Sequence, residues 1–169
     1  FINGALVAGM IAVGAFNAQE VRAENRLQTI SADDKECLAK NIYFEARSET
    51  IEGQVAVAWV TLNRMESSKF PDTICGVVYQ ARTDGRGNPL RHQCQFSWFC
   101  DGKSDRIRNQ REWEDVLLIT EVVLLDWARA KESPVQNATY YHADYVNPYW
   151  ADDYTRIAQV DSHIFYVEH

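Results

Sequence analysis

The feature that most constrains this chain is the run IEGQVAVAWVTLNRM at 51–65. Val55, Val57, Ala58, Trp59, Val60 and Leu62 follow one another so closely that, wound as a helix, they cover nearly its whole circumference. A helix that is apolar all round is stable in water only when other elements enclose it. The run therefore predicts a domain built around a central buried helix, and the rest of the chain must supply its wrapping. At 169 residues, the chain has material for one domain with a well-formed core, not for two.

Candidates for that wrapping lie on both sides. Ser31 and Asp34 form an S-x-x-D start, a capping hydroxyl followed by acid at the positive helix end. Cys37, Leu38, Ile42 and Ala46 continue at helical spacing, predicting a helix to about Arg47 that Ser48-Glu49-Thr50 breaks. PDTICGVVYQ, from Pro71, predicts a short helix capped by Asp72 or Thr73. Ala81 to Gln93, with Gly85, Gly87 and Pro89, reads as an exposed charged loop. Residues 111–131 predict a long helix with Trp113, Val116, Leu117, Thr120, Val123, Leu124 and Trp127 inward, ended by Ser133-Pro134. The closing aromatic stretches, ATYYHADYVNPYW and HIFYVEH, read as two short strands joined by a loop. The fold class is mainly α (α+β), a helical domain with a small β element.

Two features bear on compartment. FINGALVAGMIAVGAFNA, residues 1–18, is uncharged and apolar, and 1–23 reads as a signal peptide with Val21-Arg22-Ala23 as cleavage site. A retained membrane anchor, with membrane contact through 1–18, is the rival reading, and a buried core helix the third. Residues 24–30 read as a polar linker, leaving 31–169 as the folded domain. Cys37, Cys75, Cys94 and Cys100 suit an oxidising compartment, because disulfides persist there. Four cysteines allow three connectivities. The short loop QFSWF makes a Cys94–Cys100 pair geometrically easy, which would leave Cys37 with Cys75. A zinc site from Cys94, Cys100, His92 and His142 is the alternative, but no Cys-x-x-Cys is present and the histidines are scattered. No metal and no organic cofactor are expected. The net charge of −7 argues against a nucleic-acid partner, which requires a basic surface.

Glu45 is the residue whose chemistry stands out. It follows Leu38 by seven positions and Ile42 by three, so it points to the apolar side of its helix. It also lies at the helix C-terminus, where the macrodipole disfavours an anion. Desolvation and dipole both raise a carboxyl pKa, the condition for a general acid near neutral pH. Spacing alone leaves two readings open, a solvated charge at a helix end or a carboxyl held for proton transfer. Glu49 and Glu52 fall at or just after the break, where solvated charges are ordinary.

The linked motifs narrow the choice. Tyr43-Phe44-Glu45-Ala46-Arg47-Ser48-Glu49, then Gly53-Gln54-Val55-Ala56-Val57-Ala58 and Leu62-Asn63-Arg64, resemble a pattern of the cell-wall hydrolase family of spore-cortex-lytic enzymes, the SleB type. Phe70-Pro71-Asp72-Thr73-Ile74-Cys75-Gly76-Val77-Val78-Tyr79-Gln80, Gln95-Phe96-Ser97 and the tail around Ile164-Phe165-Tyr166 extend the resemblance over most of the chain. It implies a lysozyme-like α domain that cuts the MurNAc–GlcNAc bond of peptidoglycan glycan strands, with Glu45 as the catalytic carboxyl. Many members of the family are lytic transglycosylases, a route for which one carboxyl suffices. Hydrolysis as a muramidase would need a second carboxylate, from Glu49 or Glu52. A non-catalytic wall-binding protein that keeps the fold is the reading from another class. Ser48 departs from the family, which commonly has Gly there to ease the turn. The resemblance, the leader and the cysteines together imply an exported protein of the periplasm or cell envelope, Gram-negative or phage-encoded.

Sugar rings stack on aromatic faces while their hydroxyls bond polar neighbours. Gln95, Phe96, Ser97 and Trp98, and Tyr141, His142, Asn147 and Trp150, are accordingly the expected substrate-binding residues. Trp113 and Trp127 have the spacing of packing residues and are not among them.

Overall fold

The computed structural model describes residues 17–168. The apolar run 1–18, with its signal, anchor and core-helix readings, lies outside them except for its last two residues. Five helices and two small antiparallel sheets follow: α1 Ala18–Gln28, α2 Ala32–Ala46, α3 Ile51–Glu66, α4 Ile74–Val78, β1 Ala81–Thr83, β2 Pro89–Cys94, α5 Gln110–Ala128, β3 Tyr140–Ala143, β4 Thr155–Val160 and β5 His163–Val167. The architecture is mainly α with a small β element, as expected.

Each helix begins where a short polar side chain accepts a backbone N–H that the helix cannot satisfy itself. Asn17 caps α1, Ser31 caps α2, Thr50 caps α3, Thr73 caps α4 and Asn109 caps α5. The central helix is α3, as its composition requires. Ala56, Val57, Ala58, Val60 and Leu62 are all fully buried. It packs against α2, α4 and α5, which contribute Leu38 and Ile42, Ile74, Val77 and Val78, and Val116, Val123 and Leu124 respectively. Cys37–Cys75 ties α2 to α4, and the same junction is fastened by Cys75 N donating to Asp34 Oδ1 at 2.9 Å. Both disulfides take the pairing that loop length favoured, so these cysteines do not form a zinc site. Among the described residues, no cluster of metal-ligating side chains occurs.

Four local expectations need correction. Residues 24–30 are helical through Gln28, because Ala23, Leu27 and Ile30 form an i, i+4, i+7 stripe that seats α1 on the core beside α5. The candidate cleavage site Val21-Arg22-Ala23 therefore falls inside a helix. The stretch 81–93 is a hairpin, β1 paired with β2, whose turn is organised by Asp84 accepting from the backbone of Arg86 and Asn88. Its side chains are solvated, so charge concealed a strand pair. The C-terminal sheet has three strands, ordered β3-β5-β4, not two. β4 (TRIAQV) is half-exposed and polar, and its pattern was too weak to announce it. On α5, Leu117 lies at the edge of the inner stripe and is exposed.

The two halves of the fold meet at the α2–α3 break. Asp161 stands in the β4–β5 turn with φ of 49°. Its Oδ2 accepts from the Thr50 N–H at 2.9 Å and the Thr50 hydroxyl at 2.6 Å. The Ser162 hydroxyl and N–H donate to Glu49 at 2.6 and 3.2 Å. Gly53 lets the turn approach so closely, since a Cβ there would collide with the Asp161 carboxylate. Ser48 has no left-handed φ, so a glycine is not required at that position.

Candidate active site

The helix that carries Glu45 ends beneath the C-terminal sheet. The α2–α3 break must turn the chain just where the β4–β5 turn docks, which sets β3 across the last turn of α2. Tyr141 of β3 then donates its hydroxyl to Glu45 Oε2 at 2.9 Å. A cleft of about 450 Å3 opens over this pair. Phe44, Gln95, Phe96, Ser97 and Trp98 line it from the helical part, and Tyr141, His142, Ala143 and His163 from the sheet. The short Cys94–Cys100 loop holds Gln95 to Trp98 in place.

Glu45 is partly buried, and the protein around it removes enough water to raise its pKa above the usual carboxylate value. Desolvation is the largest cause; the Tyr141 hydrogen bond and the positive charge of Arg64 act in the opposite direction. The Tyr141 phenol is pushed well above its ordinary value, chiefly by burial and then by the nearby Glu45 charge, so it remains a donor. Arg64, only 3% exposed, is lowered to about 10 by burial and stays a cation at neutral pH. Its Nε donates to Thr139 O at 2.7 Å. With the Gln95 amide oriented by its hydrogen-bond network, Gln95 accepts from Arg64 Nη2 and Nη1 at 3.0 and 3.2 Å. Arg64 thus joins α3 to the cleft wall and to the start of β3 while placing a buried positive charge near Glu45.

The expected binding residues divide. Gln95, Phe96, Ser97, Trp98, Tyr141 and His142 all line the cleft with Glu45. Phe96 and Trp98 are also core residues. Trp98 Nε1 donates to the buried Asn41 Oδ1 at 3.0 Å, and Asn41 Nδ2 donates to Thr61 at 3.1 Å. His142 donates from Nδ1 to Ala143 O and accepts at Nε2 from the Tyr166 hydroxyl, both at 2.9 Å, so its nitrogens are engaged within the sheet. Asn147 is exposed on the loop after β3, and Trp150 packs on Tyr140, Tyr154 and His142; neither lines the cleft. Glu49 is held by Ser162, and Glu52 is exposed away from the cleft.

Several residues of the site were missed. Arg64 had a signal, because a cation on a helix buried all round must be matched by acceptors. His163 had none in its local pattern. It is 6% exposed, its Nδ1 has no hydrogen-bond partner, and burial lowers its pKa, so the ring is neutral beside Tyr141. Asp101, Tyr145 and Val146 complete the rim.

A family profile described as Cell Wall Hydrolase matches residues 48–166, a span that begins just past Glu45. The chain is 34% identical over 139 residues to the spore cortex-lytic enzyme of Oceanobacillus iheyensis, covering 82% of this chain and 43% of that protein. It is 32% identical over 148 residues to the spore cortex-lytic enzyme of Bacillus subtilis, covering 87% and 42%. The chain spans less than half the length of these relatives. Among solved structures, the catalytic domain of Bacillus cereus SleB superposes with a TM-score of 0.59 at 30% identity, over 82% of this chain and 92% of that one. The catalytic domain of the germination-specific lytic transglycosylase SleB from Bacillus anthracis gives 0.58 at 30% identity, over 81% and 96%. On these matches, and on a fold shared with solved SleB catalytic domains, the chain belongs to the cell wall hydrolase family.

Proposed function

We propose that this protein cleaves the MurNAc–GlcNAc bond of bacterial peptidoglycan as a lytic transglycosylase, with Glu45 as the general acid and base. The observation that carries the reading is one partly buried carboxyl of raised pKa on a cleft floor, from which Glu49 and Glu52 are both turned away. The protonated carboxyl donates to the glycosidic oxygen, the bond from that oxygen to MurNAc C1 breaks, and GlcNAc leaves as an alcohol. The MurNAc C6 hydroxyl then attacks C1, and the Glu45 carboxylate takes its proton. The product is a 1,6-anhydro sugar, the acid is regenerated, and no water is consumed. Tyr141 engages Oε2, so in this reading the transferable proton is carried by Oε1. Arg64 steadies the carboxylate during its ionised interval.

The hydrolytic alternative has one observation in its favour. Asp101 also lines the cleft, and its backbone bond from Lys103 (2.7 Å) and the Lys103 ammonium (3.5 Å) favour its ionised form. Hydrolysis pairs such a carboxylate with the acid. Mass analysis of muropeptides released from purified sacculi separates the two: we expect anhydro ends, and reducing ends would exclude transglycosylation. A non-catalytic wall-binding role predicts no new ends at all. The two disulfides support an exported setting, and within it we propose the periplasm or cell envelope of a Gram-negative bacterium or its phage. Among the described residues, no helix is long and apolar enough to cross a membrane.

A further inference from the structure

The cleft does not stop at Trp98. A second cavity, of about 290 Å3, shares Phe44, Trp98 and Asp101 with it. Its other walls carry Arg47, Lys103, Arg106 and Arg108 against a single further acid, Asp105. Four cations around one small cavity are a local reversal in a chain of net charge −7. Two of them are already engaged: Arg47 Nε lies 3.4 Å from Glu112, and Lys103 Nζ lies 3.5 Å from Asp101. Arg106 and Arg108 are exposed residues, and neither has an ion-pair partner among the described residues.

We infer that this basic extension is a subsite for the free carboxylates of the peptide stem borne by the muramic acid whose bond is cut. The inference rests on the peptidoglycan reading above. The stem leaves that sugar from the lactyl group on C3, within a few bonds of the C1 that reacts. A stem must therefore exit the cleft close to the catalytic carboxyl. Phe44, the residue before Glu45, lines both cavities, so the basic extension opens off the cleft beside that carboxyl, where a stem could enter it. Guanidinium groups match carboxylates in shape and charge, and unpaired ones bind without first breaking an ion pair. The site would distinguish glycan that carries peptide from glycan that does not.

The test compares two substrates with the full chain: peptidoglycan strands bearing stems, and the same strands stripped of stems by an amidase, which leaves only the lactyl carboxylate on each muramic acid. At low salt, we expect wild-type cleavage to be faster on the stem-bearing strands by about tenfold, the scale of two rim ion pairs. In an Arg106→Gln/Arg108→Gln variant, the ratio of the two rates falls towards one. Arg82→Gln, on the hairpin outside this cavity, keeps the wild-type ratio. Independently of any variant, raising NaCl from about 0.05 to about 0.5 M lowers the wild-type ratio, because exposed charges are screened. A wild-type ratio near one, or a ratio insensitive to salt and to the double substitution, overturns the inference and leaves the cleavage reading intact. Failure of the wild type to cut either substrate overturns both.

Discussion

At the level of single residues, the site is a contest over one proton. Burial holds it on Glu45; Tyr141 and Arg64 favour its release. Glu45→Gln should reduce cleavage of sacculi by about 10²–10⁴-fold, the usual contribution of a general acid and base, and unchanged clearing would remove the catalytic assignment. The same substitution has a signature in stability. A carboxyl whose folded pKa is raised favours folding below its unfolded value and loses that contribution as pH rises through the folded one. The wild type should therefore lose melting temperature relative to Glu45→Gln as pH rises out of the ordinary carboxylate range and through the raised pKa of Glu45. Parallel melting curves at every pH would mean that Glu45 is not perturbed. Tyr141→Phe removes the donor that favours the carboxylate, so the Glu45 pKa should rise further. The alkaline limb of the pH–rate profile should move up, and the rate should fall about tenfold or more, as for loss of a hydrogen bond to a charged group. An unmoved limb would show that the 2.9 Å contact does not set the proton's affinity.

At the level of elements, placement of that proton depends on how the sheet docks on the helices. The α2–α3 break and the β4–β5 turn are fastened by Thr50, Glu49, Asp161 and Ser162, and they fit only because residue 53 lacks a side chain. Gly53→Ala should destabilise the fold by about 1–3 kcal/mol through overpacking. It should also lower activity, because the displaced sheet carries Tyr141. In an Asp161→Gly background, the collision with the carboxylate disappears and glycine suits the φ of 49°, leaving only the close approach to the Glu49 Cβ, so the alanine should add less. Equal penalties in both backgrounds would argue against this close approach. Helices α2 to α5 were legible because α3 is apolar on every side, Ser31 and Thr73 offer caps, and α5 carries an apolar stripe; α1 was not, because Ala23, Leu27 and Ile30 make only a thin stripe in a polar run. The hairpin 81–94 and the strand Thr155–Val160 were not, because their exposed polar side chains leave no alternation to read.

At the level of the whole molecule, the two disulfides do different work. Cys37–Cys75 spans 38 residues and joins two core helices; Cys94–Cys100 spans 6 and braces the cleft wall. Loop-closure entropy predicts that replacing the first pair by alanine costs about 4 kcal/mol and the second about 2 kcal/mol. Activity should follow the reverse order once both variants are assayed below their melting temperatures, since only the second pair holds Gln95 to Trp98. If loss of Cys94–Cys100 left cleavage unchanged, the wall would be held by Trp98–Asn41, Gln95–Arg64 and the Gln95 N–H donating to Gln80 O.

By itself, the sequence determined what is local. It specified a helix that must be buried, the caps that start its neighbours, the inward direction of Glu45, and the linked motifs that carry the family. These depend on spacing within a few turns of chain, and such spacing is written in the order of residues. Only the tertiary structure decided which distant groups meet. It brought Tyr141 to Glu45 across 96 positions, took Glu49 away to Ser162, buried Arg64 against Gln95 and Thr139, and placed His163 in the cleft. Those pairings follow from how a half-exposed sheet settles on a helix break, and no periodicity within either element encodes the partner across the gap.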